Sequence, residues 1–113
     1  MARTDLAVQT IVDEGLNPAY TAAPLDGHMI PGDGEVYIHV KNAGAASINV
    51  TIQTGGTLMG EPVTDKVVAV PNGGERLIGP FPPALYNQPS GVDAGKVYVD
   101  FSAVTSVTVA ALR

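Results

Sequence analysis

Apolar and polar residues alternate at every second position through the middle of the chain. Two segments, 35–41 and 47–53, carry this pattern most clearly. Their apolar members are Val36, Ile38, Val40, Ile48, Val50 and Ile52. A period of two is typical of a strand that buries one face and leaves the other in water. The pattern therefore predicts strands over 36–40 and 48–52.

Short glycine-containing connections follow several of these segments. The sequence NAGAA at 42–46 separates the first two strands, and PNGG at 71–74 separates the apolar runs 66–70 and 75–78. Connections of this length and composition are common in β-hairpins, because glycine accepts a positive φ. We therefore predict two antiparallel hairpins, each formed by the strands that flank one of these connections.

The remaining chain supplies further strands and many turns. The same alternation predicts strands over 96–101 and 106–111, residues 7–12 are rich enough in β-branched residues for another, and a short strand is expected near 28–30. With 13 Gly and 9 Pro, and no segment that predicts a helix, the chain has the composition of an all-β fold. We predict one antiparallel β-sandwich, Ig-like or jelly-roll-like, of seven or eight short strands over residues 7–113, preceded by a flexible arm at 1–6.

Composition and charge exclude several classes of function. The chain has no cysteine, which rules out disulfides, thiolate zinc sites and a cysteine nucleophile. Eleven acidic against six basic residues give a net charge of −5, which disfavours nucleic-acid binding. No apolar stretch approaches the roughly 18 residues of a membrane span, and the first residues lack a signal-peptide pattern. We expect no membrane partner and synthesis in a cytoplasm.

Few residues offer reactive chemistry. His39 occupies an outward position of a predicted strand, and His28 lies in a turn-rich segment, where a lone histidine is seldom catalytic. Asp26, Asp33 and Glu35 provide oxygens for a metal, but their spacing fits no calcium loop and suits ordinary turns better. No nucleophile elbow or phosphate-binding loop is present. We expect no enzyme activity, no cofactor and no metal.

The proline-rich stretch GPFPPALYNQ at 79–88 is the most distinctive loop. Pro80, Pro82 and Pro83 stiffen the backbone, so the segment that holds Phe81, Leu85 and Tyr86 loses little entropy on binding a partner. Alternatively, Phe81 and Tyr86 fold back and close the end of the sandwich. The sequence leaves both roles open.

Three stretches together resemble a family of small virion proteins of tailed bacteriophages, commonly encoded near the major capsid protein. They are VYIHVKNAGAASINVTIQT at 36–54, VAVPNGGERLIGPFPPALYNQ at 68–88 and KVYVDFSAVTSVTVAALR at 96–113. The resemblance implies a capsid decoration or cement protein on the outer surface of the expanded head. It also implies two partners, the major capsid protein and sister copies of this chain in a dimer or trimer.

Three groups of residues are the predicted protein-interface candidates. They are Phe81, Pro82, Pro83, Leu85 and Tyr86 of the proline-rich loop, Ala2, Arg3, Thr4, Asp5 and Leu6 of the arm, and the strand tyrosines Tyr37 and Tyr98. Two other functions stay open: a head–tail connector, tail-tube or minor tail protein, and a carbohydrate-binding or adhesion module. The last is disfavoured because the chain has no tryptophan and only 5% aromatic residues.

Overall fold

A computed structural model describes residues 3–55, 57–89 and 91–113 of the chain, and these residues form an all-β structure. The strands are β1 Thr4–Asp5, β2 Val8–Gln9, β3 Thr21–Ala22, β4 His28–Pro31, β5 Tyr37–Asn42, β6 Ile48–Ile52, β7 Thr57–Leu58, β8 Glu61–Pro62, β9 Lys66–Val70, β10 Glu75–Ile78, β11 Lys96–Phe101 and β12 Val107–Leu112. A single helical turn, α1, spans Pro83–Tyr86. The predicted β-sandwich is confirmed, but its sheets are mixed rather than purely antiparallel, because β1 and β2 pair in parallel with their neighbours.

The strands form two facing sheets. The first sheet has the order β1-β4-β11-β6-β9, and the second has the order β10-β5-β12-β2, with β3 also paired to β12. Strands β7 and β8 form a separate small hairpin. Four antiparallel pairs are nested along the chain: β3 with β12, β4 with β11, β5 with β10, and β6 with β9. Nested pairs folded across two sheets are the topology of a jelly roll, the second of the two sandwich types expected.

Both predicted hairpins are wrong. Strands β5 and β6 belong to different sheets, as do β9 and β10, so the short connections 43–47 and 71–74 carry the chain across the sandwich. The buried side chain of Asn42 holds the first crossing: its Nδ2 donates to the carbonyls of Ala46 at 2.8 Å and Val70 at 3.1 Å, and its Oδ1 accepts from Gly44 N at 3.0 Å. A short glycine-containing turn serves either geometry, so its composition did not distinguish them.

The core lies between the sheets and consists of the inward residues of every long strand. All six apolar residues that defined the period-two pattern are buried there, together with Val97, Val99, Val107 and Val109 from the two central strands. Each fully buried aliphatic side chain contributes about 1.5–3 kcal/mol to folding. The alternation in the sequence therefore identified the buried face correctly.

The N-terminal segment packs against the first sheet over residues 3–6. Strand β1 pairs in parallel with β4, Leu6 N donates to Met29 O at 2.9 Å, and the Leu6 side chain is buried in the core. The predicted flexible arm is therefore, over these residues, a docked edge strand. The segment docks because its Leu6 is apolar and because β4 offers a free edge. Ala2 lies outside the described residues.

The connections gather at two ends of the sandwich. We call the short-loop end the one formed by residues 23–27, 43–47, 71–74 and 102–106, where Ala43 N donates to Ser106 O at 2.9 Å. The long-loop end is formed by residues 32–36, 53–65 and 79–95, where Gly32 N donates to Gly95 O at 2.9 Å. In the described ranges, no helix has the length and apolar character needed to cross a bilayer.

Candidate interaction surfaces

The proline-rich loop lies at the long-loop end and closes it. Phe81 is only 4% exposed and belongs to the core, and its ring centroid lies 5.4 Å from that of Tyr86, which packs partly buried against the same core. The closing role therefore describes these two aromatics. As an interface candidate Phe81 is corrected, because a side chain buried under its own loop presents no surface to a partner.

The outer side of the same loop remains exposed. Pro82 and Pro83 face solvent, Leu85 is half-buried, and Pro82 O accepts from Leu85 N at 3.2 Å and Tyr86 N at 3.1 Å. The neighbouring loop is anchored by Asn87, whose Nδ2 donates to Gly32 O at 2.9 Å. The exposed prolines therefore sit on a fixed support.

Sequence reasoning missed two residues at this end. Met59, at the tip of the β7–β8 hairpin, is 96% exposed, and Val92, in the loop before β11, is 99% exposed. The two loops meet at their bases, where a Cβ added to Gly55 would lie 2.4 Å from Asn87 O. The bases of the two loops that carry these apolar tips are therefore in close contact at the long-loop end.

The backbone conformation at Met59 is a second unusual feature of this residue. Met59 has φ 53° and the following Gly60 has φ 82°, the left-handed pair that a tight hairpin turn requires. Asn or Gly is the ordinary choice for the first of these positions, and other residues cost about 1–2 kcal/mol there. Methionine at a turn position that favours asparagine was a sequence signal that could have identified this residue.

Arg3 and Tyr98 contact each other on the outer face of the first sheet. The Arg3 guanidinium lies 4.1 Å from the centre of the Tyr98 ring, and its Nη2 donates to Asp100 Oδ1 at 2.7 Å and Oδ2 at 2.9 Å. Tyr98 donates its hydroxyl to Asp93 at 2.5 Å, and this hydrogen bond raises the pKa of Tyr98. Of the same predicted group, Thr4 is exposed and Asp5 pairs with Lys96.

Tyr37 lies on the outer face of the second sheet and is half-buried. A Cβ added to Gly79 would lie 3.0 Å from Tyr37 Cβ, so the start of the proline-rich loop runs closely over this tyrosine. The structure does not bring Tyr37 together with Tyr98, because the two residues lie on opposite sheets.

The two histidines lie apart. His39 bonds Tyr20 Oη through Nδ1 at 2.7 Å and Glu75 Oε1 through Nε2 at 2.8 Å, whereas His28 is buried in β4. Asp33 accepts from Glu35 N at 2.9 Å, which together with its ion pair to Arg113 lowers the pKa of Asp33. Among the described residues, no three His, Asp or Glu side chains are grouped to hold a metal ion.

The two ends differ in charge and side-chain size. At the short-loop end, segments 23–27, 43–47, 71–74 and 102–106 contain a single charged residue, Asp26, and small side chains line a depression of about 290 Å³ beside Gly44 and Ala103. At the long-loop end, segments 32–36, 53–65 and 79–95 contain five carboxylates and no Lys or Arg. The long-loop end is therefore the acidic pole of the molecule.

Comparisons with protein-family models, with curated proteins and with solved structures found no match for this chain. The resemblance to phage virion proteins stays a prediction.

Proposed function

We propose that this protein is a capsid decoration protein of a tailed bacteriophage, located on the outer surface of the head, and that its long-loop end binds the major capsid protein. The observation that carries the proposal is the pair of fully exposed apolar side chains, Met59 and Val92, at the tips of two loops of that end. Neither side chain stabilises the fold, because each is surrounded by water.

The binding contribution of these residues follows from the area they would bury. Their loops project from a jelly roll whose core at this end is closed by Phe81. Burying both side chains on a partner would contribute about 1.5–3 kcal/mol each. Such a contact is weak alone, but repeated on a lattice of subunits it supports tight attachment.

The charge of the long-loop end specifies the partner surface. The segments of this end carry five carboxylates, of which Glu61 and Asp93 lie within two residues of the apolar tips, so a complementary surface of the capsid protein would combine apolar and basic side chains. Attachment to the shell should therefore weaken as salt concentration rises, because salt screens contacts between exposed charges.

The decisive experiment is a sedimentation assay with phage heads prepared without this protein. Met59→Asn combined with Val92→Ser should reduce the bound fraction at least tenfold, since both apolar contacts are lost. Asparagine is favoured at the left-handed position of Met59, so the variant keeps or raises its melting temperature. The matched control is Leu25→Ser, which removes a 74% exposed apolar side chain at the short-loop end and should leave attachment unchanged.

Stoichiometry completes the test. Copies of this chain per particle, counted by quantitative mass spectrometry, should approach the number of shell subunits or a fixed fraction of it. A few copies per particle would instead favour the connector or tail role, and absence from the particle would refute a virion role altogether. A double variant that binds heads as well as the wild type would refute the role of the long-loop end.

A further inference from the structure

One side of the sandwich ends in two edge strands, β9 of the first sheet and β10 of the second, which residues 71–74 join. Strand β9 is regular: all five of its residues are in register with β6, from Lys66 opposite Ile52 to Val70 opposite Ile48. Its other edge has no partner strand in the described structure. A straight, unpaired edge of this length exposes a row of backbone donors and acceptors.

The other edges of the molecule are blunted and β9 is not. On the far side, β1 and β2 have two residues each, and β10 carries Glu75 and Arg76. Strand β9 reads KVVAV, so its only charge is at the first position. Short length and charged side chains are the usual protections against edge pairing. Strand β9 has five residues, and four of them are uncharged.

Side-chain exposure on β9 agrees with a pairing role. Val67 is 56% exposed and Ala69 is also exposed, both on the outer face of the sheet, while Val68 and Val70 point toward the core. We propose that β9 is a self-association edge, on which a second copy of this chain pairs antiparallel across a twofold axis at Val68.

Charge and size favour a second copy in this register. Centred on Val68, the pairing places Val67 opposite Ala69 of the other copy, so a larger side chain meets a smaller one twice. Lys66 then faces Val70 of the other copy, and the two Lys66 side chains lie at opposite ends of the paired strands. The five paired residues include no carboxylate, although each copy carries a net charge of −5.

A foreign strand fits the edge less well. Recognition of an added strand takes its affinity from the backbone and its specificity from pockets for alternate side chains. One depression is lined by residues 44–48, 103 and 105, and no residue of β9 lines it. A twofold pair needs no such pocket, because the strand fixes its own register, and closed twofold dimers are the commonest assemblies.

The test is sedimentation equilibrium of the free protein, without phage heads, from about 1 to about 500 µM. The wild type should form dimers, and Val67→Lys should raise the dimer dissociation constant at least tenfold by placing two further charges in the contact. Leu77→Lys on the adjacent edge strand β10 is the matched control, since Leu77 is 66% exposed and should not affect the dimer. A monomeric wild type, or a dimer that Val67→Lys leaves unchanged, overturns the proposal.

Cross-linking tests the register separately, and the absence of native cysteine makes it unambiguous. The double variant Val67→Cys, Ala69→Cys should form intermolecular disulfides under mild oxidation, because the proposed register places position 67 of each copy directly opposite position 69 of the other. Each single variant should form far less. Equal cross-linking by the single variants overturns the register. Because the free protein is measured, failure of the dimer and failure of head attachment are distinguishable.

Discussion

Phe81, which the sequence singled out as a contact candidate, is a buried core residue. Its ring fills the core at the long-loop end, so Phe81→Ala removes a buried aromatic and leaves a cavity. We expect the free energy of unfolding to fall by about 3–5 kcal/mol, measured by urea denaturation.

Leu85→Ala is the control for Phe81, because Leu85 lies on the same loop but is only half-buried, and a loss of about 1 kcal/mol is expected there. If Phe81→Ala left stability unchanged and reduced only head attachment, the aromatic would act in the interface and the core assignment would fail.

His28 should make stability depend on pH. Burial lowers the pKa of His28 below its ordinary value, an effect that the hydrogen bond between its Nδ1 and Thr4 O opposes only in part. The carbonyl can only accept, so Nδ1 carries the proton and the buried Nε2 has no partner among the described residues. A second proton on the ring would have no acceptor.

The direction of this pH dependence follows from the protonation of His28 in the folded and the unfolded chain. Above pH about 6.5 the His28 imidazole is neutral in both the folded and the unfolded chain. Below that pH the unfolded chain takes up a proton first, so the free energy of unfolding falls as the pH drops toward the lower pKa of the folded state. Urea midpoints of the wild type and of His28→Gln, compared between pH about 7 and about 5, isolate this contribution. Parallel pH dependence of the two proteins would contradict it.

At the scale of elements, β1 distinguishes a docked N-terminal segment from a free arm. Leu6→Ala removes a buried side chain that follows β1, and we expect a loss of about 2–5 kcal/mol in the free energy of unfolding. Thr4→Ala, an exposed position of the same strand, should change it by less than about 0.5 kcal/mol. A neutral Leu6→Ala would mean that the segment is an arm in solution.

The strand connections illustrate the limit of local patterns. Alternation predicted where β5, β6, β9 and β10 lie, because each strand must bury every second side chain whichever strand is its neighbour. It did not predict which strands are neighbours. Asn42 fixes the crossing between β5 and β6 through hydrogen bonds to Ala46 and to Val70, which is 28 residues away. No local pattern reveals a contact of that range.

At the scale of the whole molecule, the candidate surfaces arise from the packing of segments that are distant in the chain. The loops that carry Met59 and Val92 are brought to one end by the nested pairing of the jelly roll, and their bases are in close contact at Gly55. The free edge of β9 likewise exists only because the chain crosses to the other sheet after Val70. Neither surface follows from the spacing of residues along the chain.

The sequence by itself determined the all-β class, the single sandwich, the inward face of each long strand and the absence of thiol chemistry, because these depend on residue type and on a period of two. Only the tertiary structure decided the jelly-roll pairing, the burial of Phe81 and Leu6, and the exposure of Met59, Val92 and Val67. Those depend on which distant segments pack together. A short turn rich in glycine permits more than one arrangement, and the global packing of the core selects one of them.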